Sequence, residues 1–293
     1  MAYFVALARE GHFGRAAASC FVSQSSLSEA IQKLEIELDV PLVRRGRSFE
    51  GLTPEGEQLL VWVRRIVADQ DALHSVMKSL QTGLVGTLRL GVIPSATQSA
   101  ADLVDRFCSD HPLARVNLQD GLTSDEIVER LRRFELDAGI VHTRPGHSGE
   151  LTITPLYAER QRVLMSTRAA GSRRTIRAVE LSELPLCLLA PGLHARQSLD
   201  AALERQGIAL RPQAEVDSVG ALVAMVARGR WAGVTPQPPR DSHSLPPGVA
   251  SLELVDPSVS APVVLAIRGG EPFSPFARAV IQTARAGFSR PSG

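Results

Sequence analysis

Residues 13–38 constrain this chain more than any other stretch, because their periodicity predicts two helices joined by a tight turn. Small and apolar residues recur at helical spacing in the first helix and let another helix approach closely: Phe13, Ala16, Ala17 and Cys20. The periodicity then breaks, and Ser23 is placed to cap the second helix through its hydroxyl. The stretch therefore predicts a closely packed helical hairpin.

The second helix of this hairpin has two chemically distinct faces. Its apolar residues predict one continuous buried stripe: Leu27, Ile31, Leu34 and Leu38. Its opposite face is rich in amides and hydroxyls: Gln24, Ser25, Ser28, Glu29 and Gln32. Such a face suits the DNA major groove, where glutamine pairs with adenine and serine contacts bases or phosphates. An ordinary hairpin with a solvated polar face fits the same spacing, so spacing alone leaves both interpretations open.

A predicted β-ribbon at residues 41–54 favours the DNA interpretation. Glycines mark its bends, and three arginines lie near its tip: Arg44, Arg45 and Arg47. Beside a recognition helix, such a ribbon brings its arginines to phosphates or into the minor groove.

The stretch from Ala2 to about Leu80 resembles the N-terminal winged helix-turn-helix and linker helix of bacterial LysR-type transcriptional regulators. The matching pieces are YFVALAREGHFGRAA, VSQSSLSEAIQKLE and LTPEGEQLL. The resemblance implies a double-stranded DNA partner, base contacts from the polar face of the second helix, and phosphate contacts from Ser23, Lys33 and the three arginines. It also implies control of RNA polymerase at a promoter by a homodimer or homotetramer.

The hairpin departs from the family pattern at several positions. Gly14 replaces the hydroxyl residue that opens the first hairpin helix, and it is a cap without a side-chain acceptor. Ser25 stands where many members have proline, and Glu29 where a basic residue is frequent. Because Glu29 can accept from a cytosine amino group, we expect it to shift the preferred DNA sequence without abolishing binding. Fewer residues precede the first helix than the family usually has, so we expect a longer native N-terminus.

A long helix follows, with Thr53 as its cap and Pro54 in its first turn. Its apolar residues alternate steps of four and three, interrupted at Gln70, and predict a dimerisation seam: Leu59, Val63, Ile66, Leu73, Met77 and Leu80. A single helix packed on its own domain is the alternative. A symmetric dimer would place two reading heads on the half-sites of a partly palindromic operator.

After a hinge at residues 83–86, strands alternate with helices, which predicts a parallel α/β sheet. Residues 156–167 are predicted to carry the chain into a second lobe, and residues 237–247, rich in Pro and Ser, to form the loop of the return crossing. The pieces TLRLG, LDAGIVH and VDSVGALVAMVARGRWAGVTP resemble the periplasmic-binding-protein-like effector domain of the same family.

By this resemblance, the positions facing the cleft between the lobes are Ser95, Ala96, Thr123, Ser124, His142, Thr143, Ser218 and Thr235. The three serines lie where a strand ends and a helix begins, and the N-terminus of a helix favours anions. A small carboxylate or a polar metabolite is therefore the expected ligand. Arg196 and Arg144 are candidate counter-charges, although a solvated arginine is an equal alternative for each. His142 is either a ligand group or a structural histidine.

Charge and composition limit the other function classes. The formal net charge is +1, and residues 1–83 hold nine basic against ten acidic side chains, which should weaken non-specific DNA affinity. The sequence has no apolar run long enough for a membrane span and no signal segment, so we expect a cytoplasmic protein without membrane contact. The three cysteines are expected to be buried free thiols: Cys20, Cys108 and Cys187. The spacing of cysteines and histidines along the chain does not indicate a metal site.

The sequence lacks GxSxG, HExxH, P-loop and GxGxxG patterns, so neither an enzyme nor a cofactor is expected. A solute-binding module and a ligand-independent architectural DNA binder remain as alternatives. We therefore predict an α+β multi-domain protein with a winged helix-turn-helix DNA-binding domain at 1–54, a linker and dimerisation helix at 55–83, and a two-lobed α/β effector-binding domain at 84–293. Lobe I is expected at about 86–155 and 250–293, and lobe II at about 156–249.

Overall fold

The computed structural model describes residues 1–45, 49–143, 151–237, 245–270 and 272–288, without the side chains of residues 45, 75 and 78–82. The predicted sites at Arg47 and Arg144, and the side chains of Arg45 and Leu80, therefore lie outside the described residues. The chain divides into two compact units. The N-terminal unit is Met1–Gly83 with Arg133–Glu135, and the effector unit is Leu84–Arg132 with Leu136–Gly293.

The N-terminal unit begins with three helices, α1 (Ala2–Glu10), α2 (Phe13–Ser19) and α3 (Gln24–Leu38). An antiparallel ribbon of β1 (Val43–Arg45) and β2 (Phe49–Leu52) follows, and then the long helix α4 (Pro54–Thr82). One apolar core joins these elements, and its buried members include Phe4, Leu7, Ala16, Leu27 and Leu42. The predicted hairpin, ribbon and long helix are confirmed.

Side-chain caps fix where these helices begin. Ser23 Oγ accepts a backbone N–H bond one turn into α3 at 3.1 Å, and Thr53 Oγ1 accepts one in α4 at 2.9 Å, so both predicted caps are confirmed. The prediction of Gly14 as the cap of α2 is wrong. The cap is His12, whose Nδ1 accepts from the Gly14 N–H at 3.0 Å. The start of α2 therefore keeps a side-chain acceptor although it has no hydroxyl.

The buried stripe of α3 is shorter than predicted. Leu27, Ile31 and Leu34 are buried, as expected, but Leu38 is 41% exposed. Leu38 ends the helix, and the chain turns at Asp39 with a left-handed φ of 50°. The inclusion of Leu38 is therefore wrong, because the core ends one turn before the helix does.

The effector unit begins with alternating strands and helices and also contains strands that follow one another directly, such as its last three. Its elements are β3 (Gly86–Val92), α5 (Thr97–Asp110), β4 (Ala114–Gln119), α6 (Ser124–Arg132), β5 (Ala138–His142), β6 (Leu151–Ser166), α7 (Thr167–Ala170), β7 (Thr175–Arg177), β8 (Cys187–Leu189), α8 (His194–Glu204), β9 (Ala214–Val216), α9 (Val219–Val226), β10 (Gly233–Gln237), β11 (Val249–Val255), β12 (Ser260–Arg268) and α10 (Pro275–Phe288).

Among the described residues, eight of these strands form one mixed sheet. β3 pairs in parallel with β4 and β5, as predicted, whereas β12 runs antiparallel to β5 and β6. The chain returns between the lobes through neighbouring antiparallel strands, which need no crossover helix. The expectation of a parallel sheet is therefore wrong for this part of the unit.

Two apolar cores lie on either side of the middle of β6. Leu151 and Leu156, early in β6, belong to the first core, which is built with β3, β5, β12, α5 and α10. Val163 and Met165, late in β6, belong to the second core, with residues of β8, β10 and β11. Residues 158–162 belong to neither core, so the middle of β6 is the boundary between the two lobes.

The three cysteines differ in their burial. Cys187 is buried, and burial raises the pKa of its thiol above the ordinary value. Cys20 and Cys108 are only half-buried, so the expectation of full burial is wrong for these two. Among the described residues, no helix is both long and apolar enough to cross a bilayer. The same residues contain no cluster of three or more His, Cys, Asp or Glu side chains that could hold a metal.

Candidate DNA interface and effector pocket

α3 presents polar side chains to solvent on the face opposite its core. Among the predicted DNA contacts on this helix, Ser28 is half-buried. The other five are exposed: Gln24, Ser25, Glu29, Gln32 and Lys33. The capping Ser23 Oγ also lies 2.9 Å from Ser25 Oγ, so two hydroxyls meet at the start of the helix. Amide, hydroxyl and charged groups thus occupy one side of a helix whose other side is fixed in a core.

A single carboxylate ties α3 to the ribbon. Glu35 Oε1 accepts hydrogen bonds from the backbone N–H groups of Leu42, at 2.8 Å, and Val43, at 3.1 Å, where β1 begins. On the ribbon, Arg44 is exposed, and its guanidinium lies across Gly51 of the facing strand. A Cβ at Gly51 would come within 3.1 Å of Arg44 Nη2, and its φ of 119° favours glycine. The glycine therefore leaves space for Arg44 across the ribbon.

α4 carries an exposed apolar stripe that differs from the predicted seam. Val63 is buried and Leu59 half-buried in the core of the N-terminal unit, so the structure assigns both to that core and not to a partner surface. The exposed large apolar residues on the described part of α4 are Val61, Trp62, Ile66, Leu73, Val76 and Met77. Sequence reasoning missed Val61, Trp62 and Val76, although Trp62 lies one helical turn before Ile66.

In the effector unit, the middle of β6 carries buried polar side chains on one face. Glu159 and Gln161 point to the same side because side chains alternate along a strand. Glu159 is 2% exposed, and its Oε1 lies 2.5 Å from Nε2 of His142, which is 3% exposed at the end of β5. Glu159 Oε2 and His142 Nδ1 have no hydrogen-bond partner among the described groups. Buried polar atoms in this state are costly, which marks the pair as a candidate ligand site.

A small pocket lies beside this pair. It is lined by Glu159, Gln161, His194, Ala195, Ser198, Pro236, Val259 and Ala261. The His194 ring packs on the His142 ring with centroids 4.5 Å apart, and His194 Nε2 lies 3.3 Å from Ser198 Oγ. Gln161 Nε2 donates to the backbone carbonyl of Ala195 at 3.1 Å. The pocket therefore joins β6, α8 and β10 at the boundary between the lobes.

Some of the predicted effector residues lie near this pocket. His142 packs on the pocket residue His194, and the buried Thr235 precedes the pocket residue Pro236 in β10. Ser95 lies on the 3₁₀ turn Pro94–Ala96, which contacts β10, and its buried Oγ has no partner among the described groups. Two further predicted positions serve the fold: Ala96 is buried in the first core, and the Thr143 N–H donates to the backbone carbonyl of Pro262 at 3.4 Å.

The predicted anion site at the start of α6 already holds a carboxylate of the chain. Thr123 donates to Glu126 Oε2 through its backbone N–H, at 2.8 Å, and through its hydroxyl, at 2.9 Å. These hydrogen bonds lower the pKa of Glu126. Ser124 Oγ accepts the backbone N–H of His142 at 3.2 Å, and Ser218 Oγ caps α9 at 3.2 Å. The three side chains thus have structural partners within the chain.

Arg196 has a structural role in lobe II instead of the predicted counter-charge role. Its Nε donates to Asp200 Oδ2 at 2.8 Å, and its Nη1 donates to Glu215 Oε1 and the Leu189 carbonyl, each at 2.9 Å. These bonds tie α8 to β8 and β9. The Arg196 side chain is also buried, so its guanidinium depends on these partners for its hydrogen bonds.

Sequence reasoning missed all eight residues that line the pocket, and the polar ones among them are Glu159, Gln161, His194 and Ser198. A signal for the first two was available, because polar residues at alternate positions of a strand share one face. The pocket residues of α8 are one turn apart, but nothing in their spacing indicates which strand they face.

Comparison with known families matches both units. The family described as "Bacterial regulatory helix-turn-helix protein, lysR family" matches residues 1–57, and "LysR substrate binding domain" matches residues 81–289. HTH-type transcriptional regulator IlvR of Caulobacter vibrioides is 30% identical over 264 residues, which are 88% of this chain and 87% of that protein.

Two solved structures extend the likeness over nearly the whole chain. A full-length OxyR from Pseudomonas aeruginosa, solved as a cysteine-to-aspartate variant, has a TM-score of 0.75 and 27% identity, covering 97% of this chain and 92% of that one. Full-length CbnR complexed with its target DNA has a TM-score of 0.64 and 24% identity, covering 97% of each chain. At this identity the likeness to CbnR bears on the fold alone.

A winged helix-turn-helix unit and a two-lobed unit with a pocket at its lobe boundary define a DNA-binding regulator with an effector-binding domain. The matches over residues 1–57 and 81–289, together with the relative at 30% identity, make the assignment specific. The chain belongs to the LysR family of transcriptional regulators, a family of regulators and not of enzymes.

Proposed function

We propose that this regulator binds a partly palindromic operator as a dimer, and that a small polar effector in the pocket changes transcription by RNA polymerase. The proposed base contacts are Gln24, Ser25, Ser28, Glu29 and Gln32. The proposed phosphate contacts are Ser23, Lys33, Arg44, Arg45 and Arg47. The site of action would be the cytoplasm, with a homodimer or homotetramer as the active form.

The exposed polar face of α3 carries the DNA part of this proposal. Its glutamines and serines lie in the open while Leu27, Ile31 and Leu34 hold the opposite face in a core. A helix held in this way can enter the major groove while its apolar face stays packed in the core. Its amide side chains can then form hydrogen bonds with the edges of the bases.

The dimer proposal rests on the exposed stripe of α4. Trp62, Ile66, Leu73 and Val76 lie on one helix face, and large apolar side chains gain roughly 1.5–3 kcal/mol each when they are fully buried. A second copy of α4 would bury the same stripe symmetrically. Exchange of Trp62 for Arg is expected to raise the dimer dissociation constant at least about tenfold, measured by sedimentation velocity.

The effector part of the proposal rests on the position of the pocket. The pocket lies around the middle of β6, where the two lobes meet. A ligand bound there would therefore contact elements of both lobes at once. Ser95, His142 and Thr235 would contribute to it together with Glu159 and Gln161. Such a ligand favours one arrangement of the lobes, and this shift in population would change the spacing of the reading heads.

Fluorescence anisotropy tests the proposal directly. The protein would be titrated onto the DNA upstream of its own gene and onto scrambled DNA of equal length at near-physiological salt. A specific operator is expected to bind about 10³-fold tighter or more, with a footprint over two half-sites. Equal, weak binding to both DNAs would contradict the proposed operator recognition.

Exchange of Arg45 for Ala tests the phosphate contacts of the ribbon. We expect weaker binding to every sequence, with the slope of log K against log salt flattened by about 0.9, the value of one phosphate contact. Anisotropy titrations at several salt concentrations measure this slope. A change in sequence preference without a change in slope would mean that Arg45 contacts a base.

A further inference from the structure

We propose that the effector carries a protonated amino group, and that this group donates a hydrogen bond to Glu159 Oε2 in the pocket. The inference rests on the effector site proposed above and adds its chemical class. It replaces the small carboxylate expected from the sequence with an amine.

The first argument is the state of the Glu159 carboxyl group. Its Oε1 contacts His142 Nε2, whereas its Oε2 is buried and has no partner among the described groups, in a residue that lines the pocket. A carboxylate accepts hydrogen bonds and an ammonium group only donates them, with three N–H groups. A ligand amine therefore supplies what this oxygen lacks, in a bond strengthened by both charges.

The second argument is the charge around the pocket. None of the described residues that line it is Lys or Arg, and its titratable members are Glu159 and His194. The arginines of β6 lie on the other face of the strand, where Arg160 bonds Glu253 at 3.0 Å and Arg162 bonds Ser251 Oγ at 2.7 Å. A carboxylate ligand would therefore bring a second carboxyl group next to that of Glu159, which disfavours its binding.

The third argument is that the two groups from which an anion site was expected, Arg196 and the start of α6, already bind carboxylates of the chain itself. The guanidinium of Arg196 is bonded to Asp200 and Glu215, and the start of α6 holds the carboxylate of Glu126. Neither feature is placed to balance an acidic ligand. The unpartnered acceptor at Glu159 is thus the strongest recognition element that the described pocket presents.

Thermal unfolding of the intact chain with probes of matched length tests this inference. The probes are short n-alkylamines, n-alkanols and n-alkanoates of matched chain length, at equal ionic strength and neutral pH. A bound probe raises the Tm of the effector unit by mass action. We expect the amines to bind about 10- to 100-fold tighter than alcohols of equal length, as a charge-assisted hydrogen bond predicts.

The variant Glu159→Gln keeps the shape of the side chain and removes its charge. It is expected to abolish the preference for amines over alcohols. Glu253→Gln is the matched control, because it removes an exposed carboxylate of the same sheet that contacts Arg160 and not the pocket. It should leave the amine preference unchanged.

A second variant guards against loss of folding in Glu159→Gln. Ser198 lines the pocket next to His194, so Ser198→Asp adds a carboxylate at the same site. We expect the amine preference to increase at least about threefold in this variant. An unchanged or reduced amine preference in Ser198→Asp would count against the inference.

Three results would overturn the inference: alkanoates that stabilise more than amines, an amine preference that survives Glu159→Gln, or no stabilisation by any probe. None of these results affects operator binding by anisotropy, which tests the regulator itself. Failure of the amine class and failure of the proposed function are therefore separate outcomes.

Discussion

The polar face of α3 and the polar wall of the pocket at the lobe boundary use the same residue types in opposite surroundings. On α3, Gln24 and Glu29 are exposed and come from one continuous segment. In the pocket, Glu159 and Gln161 are buried and meet partners from α8 and β5. An exposed polar face costs little folding free energy, whereas a buried one is stable only while its hydrogen bonds are made. We therefore expect substitutions on α3 to separate binding from stability and substitutions in the pocket to couple them.

The largest expected effect is on the buried pair. Exchange of His142 for Leu should lower the free energy of unfolding of the effector unit by about 3–5 kcal/mol, because Glu159 would be left buried without its partner. Urea denaturation followed by circular dichroism measures this change.

A double variant serves as the control for that effect. Exchange of His142 for Leu together with Glu159 for Met replaces the pair by apolar side chains and should restore most of the lost stability. If the single variant were as stable as the parent, the pair would not be coupled to folding, and the contrast with α3 would fail.

The next effect concerns the buried back of α3. Exchange of Leu27, which is fully buried, for Ala should destabilise the N-terminal unit by about 2–5 kcal/mol and weaken operator binding through unfolding. Ile36 on the same helix is 75% exposed, so Ile36→Ala is the matched control and should change stability by at most about 0.5 kcal/mol. Equal effects of the two variants, in thermal unfolding, would contradict the assignment of the helix faces.

Substitutions on the exposed polar face of α3 should change DNA binding without changing stability. Exchange of Gln24 for Ala is expected to cost about 1–3 kcal/mol of operator affinity at one base position, with unchanged Tm. Anisotropy on a set of single-base operator variants locates that position. A uniform loss on every variant would instead identify Gln24 as a contact to the DNA backbone.

The smallest expected effect is at the start of α6. The Glu126 carboxylate caps this helix through Thr123, and Glu126→Gln should destabilise the effector unit by less than about 1 kcal/mol at neutral pH. The pKa of Glu126 is lowered in the folded chain, so its stabilisation is full above its ordinary pKa of 4.5 and is lost as the pH falls through the lowered value. Unfolding curves of parent and variant should therefore converge in acid, and a gap that persists there would refute the cap.

The same contrast explains what the sequence could predict. Ser23, Thr53 and the stripe of Leu27, Ile31 and Leu34 act over one or two helical turns, so local periodicity and capping rules were sufficient for them. The cap of α2 was misplaced because histidine is not among the usual capping residues, although its Nδ1 is a good acceptor.

The pocket was harder to predict because its residues meet only after long-range pairing. His142 and Thr235 were expected from the family likeness, but the contact of Glu159 with His142 depends on β12, which pairs with β5 on one side and with β6 on the other. Arg196 illustrates the converse difficulty. Its position in the sequence suggested a ligand charge, whereas Asp200 and Glu215 bind its guanidinium in three dimensions.

The bond from Glu35 to the start of β1 has a consequence for how operators are accommodated. Because one carboxylate accepts from two successive N–H groups at the start of the ribbon, α3 and the start of β1 are held together within each DNA-binding unit. Differences in groove width or curvature between operators must then be met by bending of the DNA or by the distance between heads. A head of this kind measures the shape of its half-site as well as its base sequence.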